Sequence, residues 1–152
     1  MSIFHSMNTT ATALSANRLR MDVISSNMAN AETTRGKLVN GEWEPYRRKS
    51  VVLQAQEGNS FASHLSAAKM SNDGTGDGVK VTAIEEDTET PFELVYDPEN
   101  PDANEDGYVQ MPNVDPLREM VDLMSTTRSY EANVTVLNAS KSMLMKTLEI
   151  GK

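Results

Sequence analysis

Four residues in the second half of this chain have the types and spacing of a cation site. Asp102, Asn104 and Asp106 place side-chain oxygens at the first, third and fifth positions of a loop, and Gly107 follows as the turning residue, as in an EF-hand calcium loop. The pattern then departs. Its twelfth position is Asn113 rather than a glutamate that could bind through both oxygens, and Pro98 and Pro101 forbid the entering helix. A proline-pinned surface turn is the reading these residues favour. A glycine-rich run, Gly74-Thr75-Gly76-Asp77-Gly78, resembles a phosphate loop but lacks the Gly-Lys-Ser/Thr ending, and no helical pattern follows it. The histidines are His5 and His64, on different segments, so no histidine cluster for a metal is expected. Carboxylates are plentiful but lie in polar, proline-rich sequence, whereas general acid catalysis usually needs one desolvated in a pocket. No nucleophile and base flank Asn27 and Asn30. The expectation is a protein with no catalytic residue, cofactor or metal.

The more informative chemistry is apolar, and it lies on the elements at the two ends of the chain. At the start, a series spaced alternately four and three residues runs Ile3, Met7, Thr10, Leu14, Asn17, Met21, Ile24, Met28. Towards the finish it runs Met120, Leu123, Thr127, Tyr130, Val134, Leu137, Lys141, Leu144, Leu148. That spacing lays one narrow stripe along a helix, the seam of a coiled coil, and such a stripe requires a partner helix. The apolar members of both series are the candidate assembly interface. Thr10, Asn17, Thr127 and Lys141 are polar seam positions, which weaken packing but fix register. Met7, Met21, Met28, Met120, Met124 and Met143 add adaptable side chains suited to surfaces that repack on assembly, or act simply as good helix formers.

The first helix is expected from residue 3 to about 28, capped by Ser2 and loosened at its end by Asn27 and Asn30, roughly 39 Å long. Asp115-Pro116 is a strong helix start, because the carboxylate caps free amides and proline suits the first helical position. From there the second helix runs to about Ile150, roughly 52 Å, and Gly151 ends it. Between the helices the texture is that of short strands. Leu38-Val39 and Val51-Val52-Leu53 read as strands around a loop containing Gly41, Trp43 and Pro45. Residues 79–84 and 92–96 alternate as two further strands, joined by the acidic turn Glu85 to Pro91 into a hairpin-like pair. Residues 108–112 form a short extended run. The stretch 54–78, rich in Gln, Ser, Asn, Gly and Asp with Phe61 and Leu65 as isolated anchors, reads as largely flexible. The expected fold is α+β: terminal helices pairing as a coiled coil (1–36 with its following loop, and 115–152) around a small β-rich middle (37–114).

Charge narrows the class of partner. The formal net charge is −8, and between Glu85 and Asp106 there are ten acids and no Lys or Arg. An acidic middle repels phosphate, so no nucleic-acid partner is expected. Tyr46-Arg47-Arg48-Lys49 is too small a basic cluster for such a site and reads as a polar strand face or a protein contact. No window carries the roughly 18 apolar residues of a membrane span, and the first thirty residues lack the apolar core of a cleaved leader. With no cysteine in the chain, disulfides and thiolate chemistry are excluded.

Three stretches carry a more specific likeness. Ala13-Leu14-Ser15-Ala16-Asn17-Arg18-Leu19, leading to Ile24-Ser25-Ser26-Asn27-Met28-Ala29-Asn30-Ala31-Glu32-Thr33-Thr34, resembles the N-terminal signature of bacterial flagellar rod and hook proteins. Tyr96-Asp97-Pro98, Pro101-Asp102-Ala103, Gly107-Tyr108-Val109 and Pro112-Asn113-Val114-Asp115 are similar to the proximal rod proteins of that family. Met120-Val121-Asp122-Leu123-Met124 with Arg128-Ser129-Tyr130-Glu131-Ala132-Asn133 resembles the family's C-terminal helix. The resemblance implies a structural subunit of the flagellar basal-body rod, non-enzymatic and without membrane insertion, whose terminal helices stack with neighbours into a hollow helical tube that transmits torque. It implies as partners the other rod proteins, the adapter at the rod base and copies of itself. It also implies export through the flagellar type III apparatus without signal cleavage. A helical adaptor or regulatory binding protein of an export or motility apparatus is the alternative the residues leave open.

Overall fold

In the computed structural model, which describes residues 3–56 and 78–150, the two long repeats are the two long helices. Helix α1 spans Ile3–Ala29 and helix α2 spans Pro116–Ile150. Both begin and end within a residue or so of where residue chemistry sets them. Asp115 Oδ1 accepts the N–H groups of Leu117 and Arg118 at 2.9 and 3.3 Å, satisfying amides that the first turn of α2 leaves unpaired. Within α1 the hydroxyls of Thr9, Thr10 and Ser15 donate to carbonyls one turn back, at 3.0, 2.9 and 3.1 Å, so these polar side chains are satisfied inside the helix. The flexible connector expected within 54–78, with Phe61 and Leu65, lies outside the described residues except at its ends. So do the Ser2 cap and Gly151.

Six strands lie between the helices: β1 Lys37–Val39, β2 Glu42–Glu44, β3 Lys49–Ala55, β4 Val79–Glu86, β5 Glu93–Tyr96 and β6 Tyr108–Met111. They form three two-stranded sheets, β1–β2, β3–β4 and β5–β6. The expected pairing of 79–84 with 92–96 does not occur. The reason lies in the acidic turn. Asp87 Oδ1 accepts the N–H groups of Glu89 and Thr90, both at 3.0 Å, and turns the chain off the axis of β4. The Asn113 amide donates to the carbonyls of Asp87 and Thr90 at 3.1 Å, tying that turn to the segment after β6. Strand β5 then pairs antiparallel with β6, Leu94 opposite Gln110 and Tyr96 opposite Tyr108.

The segment read as a loop around Trp43 is a tight hairpin instead. Asn40 and Gly41 both take positive φ, 53° and 93°, and Val39 faces Glu42 across them. That is the two-residue connection whose twist matches antiparallel strands, and Asn-Gly is its commonest sequence.

By its contacts the chain divides into two units. The first comprises residues 1–18, 52–83 and 128–152, and its fully buried side chains among the described residues are small: Thr10, Ala16 and Ser140. Small side chains let two helix backbones approach closely. Here Gly78, at φ +115°, sits against Thr12, whose hydroxyl accepts the Val79 N–H at 3.3 Å. The second unit comprises residues 19–51 and 84–127, with Val23, Ile24, Val109 and Val114 as its apolar core. The terminal helices pack together, and the sheets between them are small and antiparallel.

Candidate functional site

The most constrained point in the second unit is a buried amide. Asn27 is 1% exposed, and all four of its hydrogen-bonding positions are used. Its Nδ2 donates to the Lys49 carbonyl at 2.9 Å and to Glu119 Oε2 at 3.1 Å. Its Oδ1 accepts the Lys49 N–H and the Tyr46 hydroxyl, each at 3.0 Å. The side chain thus pairs with Lys49 as a neighbouring strand would, and fastens the end of α1 to the start of β3. Glu119, at 0% exposure, takes its second partner from Arg48, whose Nε donates to Oε1 at 2.6 Å. A carboxylate can be kept dry here because a guanidinium and an amide together replace its water.

Arg48 extends the node in three directions. Its side chain lies 3.6 Å from Asp122, its N–H donates to Asn113 Oδ1 at 2.7 Å, and its carbonyl accepts the Asp87 N–H at 2.8 Å. The rest of the basic cluster is also engaged within the chain. The Arg47 guanidinium stacks 4.5 Å from the centre of the Phe92 ring, and the Lys49 ammonium lies 5.4 Å from that of Tyr46. A cluster read as a polar strand face or a protein contact therefore serves this protein's own interior. Among the described residues, no buried side-chain nitrogen or oxygen lacks a partner.

The calcium-like loop is built for a different purpose. Asp102 accepts the Thr34 hydroxyl at 2.7 Å and the Arg35 guanidinium, tying the segment after α1 to the connection between β5 and β6. The Arg35 hydrogen bond first and the Thr34 hydroxyl second hold the Asp102 carboxyl below its usual range; burial opposes them, by more than the Arg35 charge adds. Asn104 Oδ1 accepts the N–H groups of Asp106 and Tyr108 at 3.1 and 2.8 Å, and Gly107 adopts φ 80° to close the turn. Among the described residues no three acidic or histidine side chains converge as metal ligands.

The seam residues fall in two groups. In the second unit Ile24 is buried, Met21, Met28 and Leu123 are half-buried, and Met120 is exposed. There Thr127 Oγ1 meets Met21 Sδ at 3.7 Å, a contact from one helix to the other. In the first unit Met7, Leu14, Tyr130, Val134, Leu137 and Leu144 are all half-buried, and Leu148 is exposed. Ile3 begins α1, but its side chain is not among those described. The seam positions Thr10, Asn17 and Thr127 are buried or half-buried with their apolar neighbours, whereas Lys141 is exposed.

Sequence reasoning did not single out Glu119, the turn-holding role of Asn113 or the pairing role of Asn27. A glutamate in the first turn of a helix is ordinary on sequence grounds, since it suits the helix dipole. The signal available was the coincidence of an isolated Arg-Arg-Lys cluster with a polar residue inside an otherwise apolar helix face.

Comparison with known proteins identifies the whole chain. Residues 7–36 match the family described as flagella basal body rod protein, and residues 105–150 match flagellar basal body rod FlgEFG protein C-terminal. The chain is 63% identical to the flagellar basal-body rod protein FlgC of Bacillus subtilis across the full length of both. It is 42% identical to FlgC of Borreliella burgdorferi, covering 99% of this chain and 98% of that one. It is 41% identical to FlgC of Salmonella typhimurium over the full length of both. The two matched segments are α1 with the loop that follows it and β6 with α2, the elements that carry the seam and the Asn27–Glu119 node. By identity over its entire length, this chain belongs to the FlgC family of flagellar basal-body rod proteins.

Proposed function

We propose that this rod subunit is built into the basal body through its two terminal helices, side by side with neighbouring subunits, in a hollow helical tube that transmits torque. The observation that carries this reading is the state of the seam in the first unit. Leu14, Val134, Leu137 and Leu144 keep a good part of their surface in water, and Leu148 keeps most of it. Fully burying one such side chain contributes about 1.5–3 kcal/mol, so several left half-covered supply a strong drive to association. The candidate interface is accordingly Ile3, Met7, Leu14, Met21, Ile24, Met28, Met120, Leu123, Tyr130, Val134, Leu137, Leu144 and Leu148. The family likeness supports the remaining rod proteins and the adapter at the rod base as neighbours, and the flagellar type III apparatus as the export route. No helix of the described residues is long and apolar enough to cross a membrane.

Substitution of the seam tests the reading. In a strain lacking the native gene, the unaltered chain restores swimming, and Leu137→Asp or Leu144→Asp abolishes rod assembly. Circular dichroism of the purified variants shows strand and helix content retained. Basal bodies of normal appearance, carrying the Leu137→Asp chain in normal amount, would overturn the proposed role of the seam.

A further inference from the structure

The second unit holds a cavity that neither the seam nor the Asn27–Glu119 node uses. It measures about 330 Å³ and lies between the β1–β2 hairpin and the β5–β6 ribbon. Small-ligand sites run from roughly 300 to 1,000 Å³, so it falls at their lower end. Trp43, 57% exposed, lines it from the hairpin, and Tyr108, 44% exposed, from the ribbon. The Tyr96 ring meets that of Tyr108 edge-on, with centroids 5.2 Å apart, and steadies it. Pro45 and Val109 line the cavity too, and both are buried. Its two sides are joined without a ligand, because Asp102 accepts the Thr34 hydroxyl and the Arg35 guanidinium. A cavity shaped in advance in this way needs little ordering on binding.

The polar groups on this cavity are left over from the fold. The side chains of Glu42, Trp43 and Gln110 make no hydrogen bond to another described residue. Asn104 Oδ1 is occupied by the N–H groups of Asp106 and Tyr108, which fixes the amide and leaves its own N–H groups unengaged. The cavity therefore offers donors at Asn104 and Trp43, an acceptor at Glu42, and both kinds at Gln110. These types select a ligand by elimination. An anion would meet Glu42 and Asp102, while Arg35, the one cation among the described lining residues, is already paired. A cation would find Glu42 but face the N–H groups of Asn104 and Trp43, which only donate. A wholly apolar group would strip water from all of them and return nothing. Hydroxyls both donate and accept, so a neutral polyol satisfies every one. A sugar ring adds an apolar C–H face for the indole and phenol rings to cover.

We propose that this cavity is a binding site for a neutral saccharide, with Trp43 and Tyr108 covering the face of a sugar ring and Glu42, Asn104 and Gln110 hydrogen-bonding its hydroxyls. The site stands apart from assembly through the seam, so either can fail without the other.

Trp43 is the chain's single tryptophan, so its emission reports on the cavity directly. The purified full chain is titrated with glucose, cellotriose and chitotriose, and with tetramethylammonium and inorganic phosphate as charged probes. The expected result is a saturable change in emission with at least one of the sugars and none with the charged probes. Tighter binding of a trisaccharide than of glucose identifies a stretch of glycan as the ligand, and equal binding a single sugar. Glu42→Ala and Gln110→Ala, both at exposed positions, should each weaken the sugar roughly three- to tenfold, the loss of about one hydrogen bond, with circular dichroism unchanged. Calorimetry on Trp43→Ala should show no heat of sugar binding. No saturable response to any of the three sugars overturns the proposal. So does a response that both alanine variants leave unchanged, which would place the sugar elsewhere. Saturation by tetramethylammonium or phosphate at a lower concentration than by any sugar also overturns it and assigns the cavity to a charged ligand.

Discussion

The two units of this chain are held together by different kinds of interaction. The second is cross-tied by side chains that each bond to more than one partner: Asn27 with four hydrogen bonds, Glu119 between Arg48 and Asn27, Asp102 between Thr34 and Arg35. Among the described residues, the first buries only small side chains completely and leaves Leu14, Val134, Leu137 and Leu144 half in water. Polar ties of fixed geometry specify one arrangement and are complete within a single chain. Half-covered leucines specify little and are satisfied by whatever apolar surface arrives. On the proposed assembly through the seam, a rod subunit gains from having both: one part that holds its shape, and one whose packing neighbours would finish.

The largest test of that contrast removes the buried charge. Glu119→Ala leaves the Arg48 guanidinium without its closest partner and Asn27 with an unused donor. Breaking a buried pair costs about 3–5 kcal/mol, and the lower end applies because Arg48 retains some exposure and has Asp122 nearby. Chemical denaturation followed by Trp43 fluorescence, a probe inside the second unit, should show the loss. Glu119→Gln, which keeps the size and one acceptor, should lose less. Equal stability of Glu119→Ala and the unaltered chain would mean that the node is ornamental and the contrast unsound.

A smaller effect is expected where the same unit brings two backbones together. A Cβ on Gly36 would lie 2.6 Å from the Tyr46 nitrogen and 2.7 Å from its Cα. Gly36 N–H donates to the Glu44 carbonyl at 2.8 Å, and Tyr46 N–H to that of Thr33 at 3.1 Å, so neither segment can retreat without losing a hydrogen bond. Gly36→Ala should destabilise by about 1–3 kcal/mol, the usual cost of forcing volume into a packed place. A melting temperature unchanged by Gly36→Ala would show that this approach is looser than its distances indicate.

What could be read from the residues follows the same division. The helices were legible because their signals are local: a stripe of fixed period, Asp115 with Pro116 at one start, Asn27 and Asn30 near one end. The strands were found but mis-paired, since pairing is a choice between distant partners. The choice was made by Asn113 holding the Asp87–Thr90 turn, a contact spanning 26 residues. The Asn40-Gly41 hairpin was legible in principle, and was missed because three-residue strands leave almost no alternation to detect. Glu119 was not legible at all. Its importance comes from Arg48, 71 residues earlier, and nothing in its immediate sequence marks it as buried.

The finest distinction between the units is expected in acid. Asp102 is held below its ordinary range chiefly by the Arg35 hydrogen bond, then by that of Thr34. In the unfolded chain it titrates near 3.9. A carboxyl whose folded value is the lower one stabilises the folded state fully above the unfolded value, and that contribution disappears as pH falls through the folded value. The tie should therefore be intact near neutrality and weaken progressively below about pH 4. Trp43 shares a cavity with Asp102 and Arg35, so its emission reports the loosening directly. Asp102→Asn removes the charge at every pH. Its stability deficit relative to the unaltered chain should be present near neutrality and shrink as the solution is acidified past the carboxylate range. If the deficit stayed constant down to full protonation, the Arg35–Asp102 tie would owe nothing to charge, and acid would no longer separate a unit closed by polar ties from one waiting on its neighbours.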